Sequence, residues 1–336
     1  MKINKYLLIL FGGVVVFLTS CTQTAQWRRA NGATWGTEYH ITYKADRDLA
    51  DSIIAEMRRI DMGVSAFNKE SNICRINSGA TDLAGREFAD LFECSKRISA
   101  ASHGAFDPTV YPLVKLWGFG ADAVGSEAPD SATVRRVLRS VGMDSCYIDA
   151  QGRVVRKSAD TQFDFGAIAK GYGVDAVALM LERNGCADYM VEIGGEVRVG
   201  GLNTRGDKWH LQIDDPLQSG FTGHERLMVV KLTDCSVATS GNYRNVRTLA
   251  DGSRVWHTIS PVTGYPVESS TLSVTVVAPT CAEADAIATA CMAMKVDDVA
   301  QFIENQPGVS VLMIVDKGRG EAEQMVFGKD VFRGEE

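Results

Sequence analysis

Phe163-Asp164-Phe165-Gly166-Ala167-Ile168-Ala169-Lys170-Gly171-Tyr172-Gly173, read on to Val199, decides the fold class. Phe163 to Phe165 reads as a short strand, and Gly166, Gly171 and Gly173 lead from it into a helix that runs to Gly185. Tyr189 to Ile193 and Val197 to Val199 then read as strands around Gly194-Gly195. More strands are expected at Trp209 to Ile213, Leu227 to Leu232, Arg254 to Ile259 and Leu272 to Val277. A small-residue helix over Ala282 to Met294, another over Val299 to Glu304 and two strands close the chain. Helices mix with antiparallel-looking strands without strict alternation. The pattern therefore predicts an α+β fold of mixed, largely antiparallel sheets with flanking helices.

Working back towards the start, Tyr39 to Tyr43 alternates as a strand does. Leu49, Ile53, Ile54, Met57 and Ile60 mark an amphipathic helix, and Phe88, Leu91, Phe92 and Ile98 mark another that stops near Gly104. A third is expected behind Ser131 as N-cap, ending at Gly142. Cys146 to Asp149 and Arg153 to Arg156 form a hairpin-like pair turning at Gln151-Gly152. The 336 residues suit two domains, or one large domain with a cleft between lobes.

Lys2 and Lys5 precede an apolar stretch from Tyr6 to Leu18 that is too short to span a bilayer comfortably. It ends in Leu18-Thr19-Ser20-Cys21, which resembles the lipobox of bacterial lipoproteins. Residues 1–20 thus read as a lipoprotein signal peptide, Cys21 as the lipidated residue, 21–30 as a polar tether and 31–336 as the folded domain. A plain secretory signal with an incidental Cys21 is the alternative. The net charge of −7 and scattered basic residues favour neither nucleic acid nor an anionic surface. The other seven cysteines form no CxxC or Cys/His cluster, which argues against a zinc site. Export permits disulfides without saying whether any form.

Four constellations carry chemistry. Asp285 and Thr289 stand four apart in Ala282-Glu283-Ala284-Asp285-Ala286-Ile287-Ala288-Thr289-Ala290, so a carboxylate and a hydroxyl share one helical face. Such hard oxygen donors suit Mg²⁺, although a pair of this kind taken alone is usually a solvated face. The glycines around Lys170 either admit phosphate to exposed N–H groups or pack helix against strand. His257 precedes Thr258-Ile259-Ser260-Pro261-Val262-Thr263-Gly264-Tyr265-Pro266 at a strand end, a place for catalytic and structural histidines alike. Gly104-Ala105-Phe106-Asp107-Pro108, with Trp117 and Phe119 beyond it, offers either a stacking wall for a flat ring or core residues.

Taken in order, these motifs resemble the ApbE family, the FAD:protein FMN transferases. The resemblance runs from Thr34-Trp35-Gly36-Thr37 through Ser65-Ala66-Phe67, Phe106-Asp107-Pro108, Asp164 to Gly171, Gly194-Gly195, Ser240-Gly241 and His257 to Pro266, and ends at the Asp285/Thr289 helix. It implies a two-lobed single domain with an FAD cleft. FAD contacts are implied at Trp35, Phe67, Ala105, Phe106, Asp107, Asp164, Lys170 and Ile259. Mg²⁺ is implied at Asp285, Thr289 and the backbone carbonyl of Ala167, with His257 beside the reacting phosphate. Two positions depart from the pattern: Trp35 stands where the family often has Met, and Ser260 replaces the Asp or Asn common before the proline.

The implied reaction is attack by a threonine or serine hydroxyl of a target protein on the FMN-side phosphorus of FAD, with AMP leaving. Asp285 and His257 are its expected catalytic residues, and FAD is a consumed substrate. The alternatives are an Mg²⁺-dependent FAD pyrophosphatase that uses water, and an FAD-binding lipoprotein without turnover. The anchor implies a periplasmic, membrane-bound enzyme, and together with the family resemblance it implies an acceptor that is a membrane-associated electron-transfer subunit.

Overall fold

The structure is a computed structural model that describes residues 24–120, 127–218, 225–241, 246–250, 252–267 and 269–332. The expected signal peptide and Cys21 lie outside the described residues.

The chain opens with hairpin β1 (Gln26–Thr34) and β2 (Thr37–Ala45), followed by helices α1 (Ala50–Val64), α2 (Asn72–Asn77), α3 (Arg86–Ala101), α4 (Tyr111–Leu116) and α5 (Ser131–Leu138). The small pair β3 (Tyr147–Ile148) and β4 (Val154–Val155) precedes helix α6 (Ala169–Arg183) and hairpin β5 (Tyr189–Ile193) and β6 (Glu196–Gly200). Strands β7 (Trp209–Asp214), β8 (Arg226–Leu232), β9 (Cys235–Gly241), β10 (Val246–Thr248), β11 (Arg254–Trp256) and β12 (Thr271–Ala278) come next. Helices α7 (Cys281–Ala293) and α8 (Val296–Glu304) and hairpin β13 (Ser310–Gly318) and β14 (Glu321–Gly328) complete the order.

Among the described residues, eight strands form one sheet in the order β1-β2-β5-β6-β9-β12-β13-β14, every neighbour antiparallel. Alternation sorts its side chains. Ala238, Val274, Val276, Val311 and Met313 face a core with α7, whereas Val237, Val277, Leu312 and Ile314 face Trp209, Leu211 and Val230 of the β7–β8 hairpin. Helices cover one face and a hairpin the other. A separate small core of Leu113, Trp117, Val134, Val141, Leu249, Val255 and Ile259 makes the second lobe. The α+β expectation with lobes is met.

Helix α7 is apolar nearly all round, with Ala284, Ala286, Ala288, Ala290 and Cys291 fully buried, so it lies inside the molecule. Its short side chains let α6 and the sheet approach closely. At Gly171 a Cβ would stand 2.2 Å from the carbonyl oxygen of Cys281, so only glycine fits this crossing.

Four expectations need correction. Residues 26–30 of the expected tether form the first half of β1, where Trp27 packs edge-on against Trp209. Phe163 to Phe165 is not a strand: Phe163 N–H donates to Asn77 Oδ1 at 2.8 Å and Asp164 N–H to the Pro108 carbonyl at 2.7 Å, so no ladder forms. The N-cap of α5 is Asp130, whose Oδ1 accepts the Ala132 and Thr133 N–H groups at 2.9 Å; Ser131 is the first helical residue. The strand expected through Ile259 ends at Trp256, which puts His257 in a bend. All seven described cysteines are free thiols.

Candidate active site

The site is built where α6 and α7 cross under the sheet. Asp175 fastens the start of α7: its Oδ1 accepts the Cys281 N–H at 3.0 Å and its Oδ2 the Ala282 N–H at 2.9 Å. Arg198 on β6 completes the carboxylate, Nη1 to Oδ1 at 2.8 Å. One turn further along α7, the buried Asp285 directs Oδ2 at the Gly171 N–H, 3.1 Å away. Its Oδ1 accepts no hydrogen bond among the described residues. Thr289 follows on the same helical face, its hydroxyl 3.4 Å from Ser240 Oγ on β9.

Lys170 reaches into this crossing and pairs with Glu196, the first residue of β6. Glu196 is 2% exposed, and its Oε2 has no partner among the described residues. Burial would lower the Lys170 pKa, but the carboxylates of Glu196 and Asp285 raise it above the ordinary lysine value. Burial raises the carboxyls of Asp285 and Glu196, with Lys170 opposing in both cases. Burial likewise raises Asp164, whose Oδ1 accepts the Gly166 N–H at 2.8 Å.

A cavity of about 520 Å³ opens beside Lys170, lined by Trp35, Val64, Phe67, Asp164, Gly166 and Ala169 among others. Phe67 stands 79% exposed at its mouth. Four expected FAD contacts, Trp35, Phe67, Asp164 and Lys170, therefore meet on one wall. Of the other four, Ile259 belongs to the core of the second lobe and Phe106 to the main core, with Ala105 and Asp107 on either side of it in the chain. Ala105 is half-buried, Phe106 and Ile259 are buried, and Ile259 bridges Pro266. Asp107 spends its carboxylate on Thr109 and on the Met143 N–H at 2.8 Å, so its side chain organises the loop. The Asp164–Pro108 hydrogen bond joins the two sets. His257 follows β11 in that lobe, whose turn is tied in by Trp117 Nε1 donating to the Gly264 carbonyl at 2.8 Å.

Among the described residues no group of three or more His, Cys, Asp and Glu is placed to hold a metal ion. A dedicated all-protein cage is thus absent there. The donor set still fits Mg²⁺, which takes one or two carboxylates and completes its shell with phosphate and water. Asp285, a buried residue, supplies a carboxylate oxygen without a hydrogen bond among the described residues, and Thr289 a hydroxyl one turn along.

Sequence reasoning missed Glu196, Asp175 and Arg198. Asp175 carried a readable signal, since it interrupts the apolar run from Val174 to Leu181. Glu196 carried none: after Gly194-Gly195 it reads as a turn charge.

A family model described as "ApbE family" matches residues 35–313. The FAD:protein FMN transferase of Haemophilus influenzae is 31% identical over 316 residues, covering 90% of each chain. That of Vibrio cholerae is 32% identical over 316 residues, covering 91% of this chain and 92% of its own. The solved flavin transferase ApbE from Vibrio cholerae superposes with a TM-score of 0.79 at 31% identity, over 90% of this chain and 97% of that one. The apo form of the Pseudomonas stutzeri flavinyl transferase ApbE gives 0.79 at 28% identity, over 90% and 95%.

Proposed function

The chain belongs to the ApbE family, and on that premise we propose that it is an FAD:protein FMN transferase. A protein hydroxyl attacks the FMN-side phosphorus of FAD. A new ester bond forms there, the bond to the AMP oxygen breaks, and the hydroxyl proton passes to a base. The observation that carries this reading is the buried Asp285, one turn before Thr289, braced on the glycine turn that walls the cavity. Phosphoryl transfer of this kind needs positioning and charge neutralisation more than covalent participation.

Trp35 and Phe67 offer aromatic faces at the cavity for the flat parts of FAD, and Lys170 offers a cation for its pyrophosphate. Asp285, Thr289 and the Ala167 carbonyl would hold Mg²⁺. Bound there, the ion would polarise the pyrophosphate and neutralise charge on the departing AMP oxygen. His257 is assigned as proton acceptor for the incoming hydroxyl, on its motif position at the end of β11. The lipobox-like Leu18 to Cys21 supports a Cys21-anchored enzyme on the periplasmic side of the membrane, acting on a membrane-associated electron-transfer subunit.

Intact mass spectrometry tests this on the purified protein mixed with FAD, Mg²⁺ and an acceptor domain. The acceptor should gain FMN minus water, with AMP released, and EDTA should abolish the gain. Turnover to FMN and AMP with every offered hydroxyl-bearing acceptor unmodified would replace the transferase with a hydrolase. Near wild-type transfer by His257→Ala would remove the assigned base.

A further inference from the structure

Glu196 is placed by the Gly194-Gly195 turn, both glycines at positive φ, so that β6 begins directly beneath the first turn of α6. The result is an acidic side chain only 2% exposed, with one oxygen on Lys170 and the other without a partner among the described residues. Burying such a charge is costly, and an apolar residue of similar volume would fill the space more cheaply. The carboxylate therefore needs a reason to be there.

The charges around it supply one. Lys170 is adjacent in sequence to Gly171, whose N–H holds Asp285, so one ammonium lies within the field of two buried carboxylates. The cluster carries one negative charge in excess. In a poorly solvated setting the ammonium binds strongly to whichever carboxylate it reaches. In this structure its contact is with Glu196, and Asp285 keeps an oxygen uncommitted. Without Glu196 the only carboxylate left in the cluster for Lys170 is Asp285. The Lys170 side chain remains 36% exposed, so the same pairing presents its ammonium to the cavity.

We infer that Glu196 is a positioning residue: it holds the Lys170 ammonium off Asp285 and so keeps Asp285 open to a divalent cation. The inference rests on the reading of Asp285 and Thr289 as cation ligands. It adds a role that neither the motif nor the metal-ligand pattern contains.

The test is titration of the purified full chain with Mn²⁺ alone, free Mn²⁺ being read by electron paramagnetic resonance, with folding checked by circular dichroism. Glu196→Gln keeps the shape and removes the charge, and should weaken Mn²⁺ binding about tenfold or more. Glu196→Asp should fall between it and wild type. Lys170→Met alone should bind Mn²⁺ more tightly than wild type, and Glu196→Gln with Lys170→Met should recover to within about threefold of wild type. That rescue distinguishes positioning from ligation, since a lost ligand is not restored by removing a lysine. Wild-type affinity in folded Glu196→Gln, or a double variant as weak as Glu196→Gln, overturns the inference while leaving the cation site intact. If Glu196→Gln does not fold, unchanged or weaker binding by Lys170→Met overturns it. A wild-type chain that takes up no Mn²⁺ defeats the cation reading itself, and the inference with it.

Discussion

Gly173 and Trp35 share a single space: a Cβ on Gly173 would lie 2.2 Å from Cη2 of the indole. Helix α6 thereby sets where the Trp35 ring stands in the cavity wall. Trp35 itself sits in the β1–β2 turn at φ 50°, a conformation that holds its ring over the helix.

Gly173→Ala should therefore displace the indole. FAD affinity, read from flavin fluorescence, is expected to fall about tenfold, while the same substitution in a Trp35→Met background should cost much less. Equal losses in both backgrounds would show that the helix and not the indole had moved.

Asp285→Asn retains an oxygen that can accept the Gly171 N–H but removes the charge. FMN transfer is expected to drop by about two orders of magnitude or more, with the melting temperature within a few degrees of wild type. Transfer rates at saturating FAD and Mg²⁺, followed by acceptor mass, check this.

Asp175→Ala strips partners from the N–H groups of Cys281 and Ala282 and leaves Arg198 with Glu182, at 3.2 Å, as its remaining carboxylate partner among the described residues. Breaking such a buried pair should destabilise the fold by about 3 kcal/mol, measurable by urea unfolding. Transfer should also weaken under native conditions, because the anchor of the helix bearing Asp285 is gone.

Tyr172 donates its hydroxyl to Asp90 at 2.8 Å, tying α6 to α3. Burial, then the Asp90 carboxylate, pushes its pKa from 10.0 up to about 12. Since the folded value lies above the unfolded one, the contribution of this hydroxyl is complete below pH 10 and is lost as pH rises through 12. Tyr172→Phe should lose about 1 kcal/mol at neutral pH, and the gap to wild type should close between pH 10 and 12. A gap constant across that window would contradict the assignment.

Where residues repeat the chemistry of their element, the sequence was legible. The alanine-rich run of α7 and the apolar alternation of β5 could be read directly, and the site motifs on α7 and on the glycine turn came with them. Strand β9 escaped because Cys235-Ser236-Val237-Ala238-Thr239-Ser240-Gly241 is made of small and polar residues. Those residues are small because α7 lies against the strand, a reason that exists only in three dimensions. Strand β1 escaped because Ala30 is its one buried residue. Phe163 and Phe165 misled in the opposite sense, as their buried rings alternate like a strand while their backbone is held by Asn77 and Pro108. Glu196 was invisible because its burial comes from α6 closing over it.

Strand β1 begins at Gln26, only five residue steps beyond Cys21. Fully extended, that leash spans at most about 18 Å. An acylated Cys21 would thus hold the sheet edge within roughly a protein radius of the lipid headgroups, too close for the body to wander through the compartment. Partners would then meet by diffusing in the plane of the bilayer, and only hydroxyls carried at a matching height above it could enter the cleft. Lengthening residues 22–25 should widen the range of acceptors served without altering the chemistry at Asp285.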